Sequence, residues 1–174
     1  MSSKNLSPIF KAFLSDLNSG GIEYLLVGGY AVRYHGYLRP TRDLDIWTST
    51  SHTNAMKISR LMSSWTQENP LITPALFEHP NRIVQLGNPT ANLEIVEPII
   101  GQKAKVLCQV QAEVPGQIEI LTVQTGAEFN DCFASRLVDE IDGITVNIIS
   151  LKDLIAIKQA GNRPQDIVDL NHLG

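Results

Sequence analysis

The chain has 174 residues, 43% of them hydrophobic, enough to bury one sizeable core and to make a single domain over residues 1–174. A formal charge of −4 and a pI near 5.5 argue against general adhesion to nucleic acid or anionic membrane, while leaving room for a local basic pocket. No apolar run reaches membrane-span length, the amino terminus lacks a signal-type apolar block, and Cys108 and Cys132 have no metal-type spacing, so a cytoplasmic protein with free thiols is expected.

In chain order, Ser7 is a candidate N-cap ahead of Pro8, and Ile9, Phe10, Phe13, Leu14 and Leu17 recur at helical spacing until Gly20 and Gly21. IEYLLVGG (22–29) reads as a strand running into a glycine turn, and YAVRYHG (30–36) as a short helix. After the loop YLRPTR, DLDIW (43–47) alternates, with Leu44 and Ile46 on one face and Asp43, Asp45 and Trp47 on the other. A helix from Ser51 to Trp65 follows, with Ala55, Ile58, Leu61 and Met62 on one side.

From Arg82 the period becomes strand-like through RIVQLG, NLEIVE, KVLCQVQAEV and QIEILTVQ, with breaks at Pro89, Pro98 and Pro115–Gly116. A helix over 128–136, a hairpin turning at Asp142–Gly143, and a helix capped by Ser150 and stopped by Gly161 come next. Pro164 opens the last helix. Helices and strands interleave with no dividing linker, which makes this an α/β (α+β) chain.

Two features carry chemistry. A strand ending in Gly28–Gly29 and opening into a helix offers bare backbone N–H groups that phosphate can approach closely, although such pairs are often only tight turns. Asp43 and Asp45, two apart on a strand, point to one face. Their oxygens suit a hard divalent ion such as Mg²⁺ bridging to substrate phosphates; on an exposed edge strand the same pair would be incidental.

With these residues in view, VGGYAVRYHGYLRPTRDLDIW resembles the nucleotidyltransferase superfamily, in the version found in small single-domain bacterial members, some of them from toxin–antitoxin pairs. The tail IISLKDLIAIKQAGNRPQDIVDL is similar to that group's tail, and the resemblance covers most of the chain. It implies a mixed β-sheet flanked by helices, with an inserted strand pair around 95–118. It also implies an NTP substrate held at Gly28 and Gly29, and Mg²⁺ (or Mn²⁺) held by three carboxylates, of which Asp43 and Asp45 are the first two.

The third acid has two candidates. GNPTANLEI fits one half of the family pattern and points to Glu94; IEILTVQTGAEF fits the other and points to Glu119, which is preferred because its match runs on through Gly126 and Phe129. Either is Glu where the family has Asp, which displaces the carboxylate by about 1.5 Å, one C–C bond. Mg²⁺ demands strict geometry, so activity is in question.

Arg42, next to Asp43, either neutralises the acids, clamps a phosphate or forms a surface ion pair. Lys158 on the helix after Ser150 either snorkels to solvent or points at the triphosphate, and the resemblance favours the second. Arg163 and Asp166 read as an ion pair anchoring the last helix. The implied activity is transfer of NMP from NTP to an unknown acceptor (a small molecule, tRNA or a protein), with a homodimer or an antitoxin as possible partner. The alternative is a catalytically weak nucleotide- or partner-binding module of the same fold.

Overall fold

A computed structural model describes residues 5–87, 92–99, 102–111 and 117–174. Its elements run α1 (Pro8–Ser19), β1 (Tyr24–Val27), α2 (Gly28–Tyr34), β2 (Asp43–Thr48), α3 (His52–Trp65), α4 (Pro74–Glu78), β3 (Ile83–Gly87) and β4 (Asn92–Ile99). Then come β5 (Gln102–Gln111), β6 (Gln117–Leu121), α5 (Phe129–Ala134), β7 (Leu137–Ile141), β8 (Ile144–Ile148), α6 (Leu151–Gly161) and α7 (Pro164–Leu173). The strands form one mixed sheet in the order β5-β4-β3-β6-β2-β1-β8-β7, parallel at β2–β6 and β1–β8 and antiparallel elsewhere.

Local chemistry sets most boundaries. The Ser7, Ser51 and Ser150 side chains accept from the backbone N–H groups of Phe10, Asn54 and Asp153 and so satisfy orphan donors at the starts of α1, α3 and α6. Asp142 and Gly143, both at positive φ (52° and 83°), make the expected two-residue β7–β8 turn. The inserted pair is the β4–β5 hairpin, added outermost on the sheet beyond β3.

The structure departs from the expected boundaries in a few places. α6 ends at Gly161 as expected, but the residue that takes the left-handed conformation and caps it is Asn162 (φ 49°), not the glycine. The break expected at Pro98 does not occur: β4 runs through it to Ile99, just beyond register shifts against β5 between Ile95 and Glu97. α4, a single turn after Thr73, was not anticipated, because five residues carry no readable period. The predicted strand end at 112–114 lies outside the described residues.

The core lies between the sheet and its helices. Tyr24, Leu25, Leu26, Leu44, Ile46, Ile118 and Ile120 are fully buried on the central strands, against Phe13, Leu14 and Leu17 of α1 and Ile58 and Met62 of α3. β1, β2 and β6 are therefore held rigidly side by side. That rigidity matters for what they carry.

Candidate active site

β2 is apolar on one face, where Leu44 and Ile46 are fully buried, and half-exposes Asp43 and Asp45 on the other. Further along the acid face Trp47 is buried edge-to-face against Phe129, ring centroids 5.3 Å apart, so the carboxylates sit where the sheet emerges from cover. β2 pairs with β1 on one side and β6 on the other, in register Val27↔Asp45↔Glu119, and Gln85 of β3 continues the row as the partner of Glu119.

That register separates the two glutamates. Glu119 stands beside Asp45 on the adjacent parallel strand, and their side chains are hydrogen-bonded. Glu94 pairs with Gln85 on β4, three strand spacings or about 14 Å from β2, so the sheet does not bring it to the aspartates.

Burial lifts the Asp45 carboxyl well above the usual range. The charge of Glu119, the hydrogen bond to it and the charge of Asp43 push the same way, opposed by the Gly29 backbone N–H donating to Asp45. Asp45 therefore holds its proton more tightly than a free carboxyl does when nothing else neutralises the site. Glu119 Oε1 also accepts from Gln85 Nε2 at 2.9 Å and Gln117 Nε2 at 3.2 Å.

The glycine turn is pressed onto these acids. Gly28 has φ +63°, and a Cβ there would lie 2.6 Å from Asp45 Cγ. A Cβ on Gly29 would lie 2.7 Å from Thr41 Cβ. α2 starts at Gly28 itself, one residue after β1, which puts its first N–H groups beside the carboxylates.

Opposite, α6 and α7 contribute a buried ionic cluster. Lys158 Nζ lies 3.0 Å from Asp166 Oδ1 and 2.9 Å from Asp169 Oδ2. Arg39 grips Asp169 with two bonds of 2.7 and 3.1 Å, and Arg163 bonds Asp166 through Nε at 2.8 Å and Nη2 at 3.1 Å while Asp166 accepts its backbone N–H. Burial disfavours both carboxylates, but the combined hydrogen bonds hold Asp166 and Asp169 below the usual range. Gly161 makes room, since a Cβ there would come 2.7 Å from Asp166 Oδ2. The hydrogen bond to Asp166 raises the Arg163 guanidinium above its ordinary value against the effect of burial, and the charges of Asp166, Asp45 and Glu119 add to it.

A cavity of about 860 Å³ lies between the two groups. Gly28, Asp45, Gln85 and Glu119 border it on the sheet side, Lys158, Arg163 and Asp166 on the helix side, with Ile83, Leu121, Leu154 and Ile157 as apolar surface.

Of the residues singled out from the sequence, Gly28, Gly29 and Glu119 therefore each meet Asp45, and Asp43 is near enough to act on it. Lys158 borders the cavity, but neither snorkels nor extends freely, being clamped by two aspartates. Arg42 is exposed and is not among the residues bordering the cavity. Arg163 and Asp166 form the ion pair expected of them and complete a capping box at the start of α7. Sequence reasoning missed Gln85, Gln117 and Asp169, and saw Arg39 only as a basic residue flanking the acids. Alternation in RIVQLG puts Ile83 and Gln85 on one face, but nothing local signals a bond between Arg39 and Asp169, 130 residues apart.

Among the described residues no group of three or more His, Cys, Asp or Glu side chains forms a ready metal cage. The donor chemistry nevertheless fits a hard cation. Two carboxylates are crowded together and hydrogen-bonded in a partly buried site, and Mg²⁺ is ordinarily held by one or two carboxylates plus phosphates and water.

No family model and no curated protein sequence matches the chain. Solved structures do. A Thermotoga maritima protein provisionally assigned as a nucleotidyltransferase superposes with a TM-score of 0.52 at 14% identity, over 94% of this chain and 89% of that one. The lincomycin-bound lincosamide antibiotic adenylyltransferase LnuA gives 0.51 at 15% identity, over 97% of both chains. The fold is that of the nucleotidyltransferases. An antigenic nucleotidyltransferase-like protein from Paracoccidioides brasiliensis shares it too, at 0.50 and 14% identity over 94% of this chain and 72% of that one. The nucleotidyltransferase fold accounts for the mixed sheet expected from the resemblance, with β2 and β6 at its centre.

Proposed function

We propose that this protein is a divalent-cation-dependent nucleotidyltransferase that moves NMP from an NTP to a hydroxyl or phosphate oxygen of an acceptor. The observation that carries the reading is the register of Asp45 against Glu119 beneath the Gly28–Gly29 turn: two carboxylates able to hold a cation and, adjoining them, a helix start able to hold phosphate. Asp43, Asp45 and Glu119 would hold Mg²⁺ or Mn²⁺. The cation supplies charge neutralisation for the triphosphate and the leaving pyrophosphate.

The chain's own groups do the rest. The N–H groups of the glycine turn bind phosphate oxygens, and Arg42, exposed and next to Asp43 in the chain, adds positive charge near the acids. Lys158, fixed by Asp166 and Asp169, keeps a cation at the cavity wall without the freedom to collapse onto Asp45. Glu119 takes the acceptor proton as the acceptor oxygen bonds to the α-phosphorus and the bond to pyrophosphate breaks.

For the acceptor we favour a small molecule. The cavity, about 860 Å³ and partly apolar, has the scale of a nucleotide with a compact second substrate, and LnuA, of matching length, is an antibiotic adenylyltransferase. The test is incubation with each α-labelled NTP, Mg²⁺ and a small-molecule extract of cells. Label is expected in a low-mass product with the native chain and absent with Asp45→Asn. Label on RNA or protein instead would overturn the acceptor class, and no transfer to any fraction would favour the binding-module alternative, including the antitoxin-partnered form.

A further inference from the structure

We propose that Gln85 is a positioning residue for divalent-cation binding, holding Glu119 in the orientation a shared cation needs; this rests on the function proposed above. Glu119 stands where the family pattern has Asp, and its extra methylene adds a torsion that a bare carboxylate would leave loose. Gln85 restrains it. It is the cross-strand partner of Glu119 on β3, is 9% exposed, and donates Nε2–H to Oε1 at 2.9 Å.

Gln117, two residues back on the strand of Glu119 and on the same face, donates to the same oxygen at 3.2 Å. Two donors on Oε1 fix the plane of the carboxylate and leave its other oxygen uncommitted to either amide. A buried primary amide is costly unless bonded, so the pairing is enforced from both sides.

The neutrality of the donor is the second part of the argument. A lysine or arginine at 85 would also orient Glu119, but would cancel the negative charge that attracts a cation. A glutamine orients without neutralising. Of the two amides Gln85 is the stronger restraint, because it is better buried, closer, and anchored on a different strand, so its hold does not move with β6.

The experiment measures Mn²⁺ binding by the full chain without nucleotide, from the free-ion electron paramagnetic resonance signal, alongside thermal melting. Gln85→Met, close in shape but without the donor, is expected to weaken Mn²⁺ binding by about 10-fold or more with an unshifted melting curve. In a Glu119→Asp background, where the carboxylate is withdrawn by about 1.5 Å, the same substitution should cost little more, since its target is out of reach. Native affinity in Gln85→Met, or an equal loss in both backgrounds, overturns the proposal. Should Gln85→Met not fold, Gln85→Asn retains a polar amide but pulls it back, and the same loss is expected. Failure of the native chain to bind Mn²⁺, or native-like binding by Glu119→Gln, would instead remove the functional reading on which this stands.

Discussion

Gly28 lies under Asp45 so closely that a methyl group on its Cα would sit 2.6 Å from the carboxylate carbon, with the backbone already at φ +63°. Backbone and acid are thus built as one unit: the turn can place N–H groups at the carboxylates only if its first residue has no side chain.

Gly28→Ala should therefore be destabilising twice over. The left-handed backbone alone costs about 1–2 kcal/mol for a residue with a Cβ, and the overlap with Asp45 adds to it. Chemical denaturation should show at least that loss, and nucleotide binding should fall further than stability does, because Asp45 must be pushed off its position.

Asp45→Asn should separate stability from binding. The folded carboxyl is held well above its ordinary value of 3.8, so the folded chain binds a proton that the unfolded chain releases. The stabilisation is complete below about pH 4 and is lost as pH rises through the raised folded value. The amide cannot ionise and should flatten this part of the stability–pH curve, leaving the variant as stable as the native chain or more so at neutral pH, while abolishing cation binding. A steeper curve for the variant would contradict the assignment.

Asp169 has the opposite sign. Although burial disfavours its charge, the bonds from Arg39, Lys158 and Gln165 hold its carboxyl below 3.8, so its contribution is present above about pH 4 and is lost as pH falls through the lowered folded value. Asp169→Asn leaves the Lys158 ammonium short of one of the two carboxylates that clamp it, and Arg39 of the carboxylate it grips. Breaking a buried pair in this way should cost about 3–5 kcal/mol in denaturant melts. A loss under about 1 kcal/mol would mean that the cluster is as weak as a solvated surface pair.

Cys132 should be inert in the folded protein. Burial raises its thiol pKa to about 11, helped by the charges of Asp153, Asp131 and Glu128, so almost no thiolate is present at pH 8. Iodoacetamide is expected to leave the Cys132 peptide unmodified under native conditions and to alkylate it once the chain is unfolded, as mass spectrometry of the digest would record.

Wherever a signal was local, the amino-acid order determined it. The serine caps, the Asp142–Gly143 turn, the alternation that puts Asp43 and Asp45 on one face, and the glycine pair leading into a helix all follow from neighbours a few residues apart. Such features rest on backbone geometry and short side-chain bonds, which sequence spacing encodes directly. Glu94 and Glu119, by contrast, both fitted the sequence, since each sits in a strand with alternating polarity, and only the longer run of its match favoured Glu119. Only the strand order, with β6 beside β2 and β4 three strand spacings away, separated them, and strand order is set by the packing of the whole chain. The same holds for Lys158: its helix was legible, but the aspartates that clamp it were not, since a buried charge finds its partners in three dimensions and those contacts leave no periodic trace along the chain.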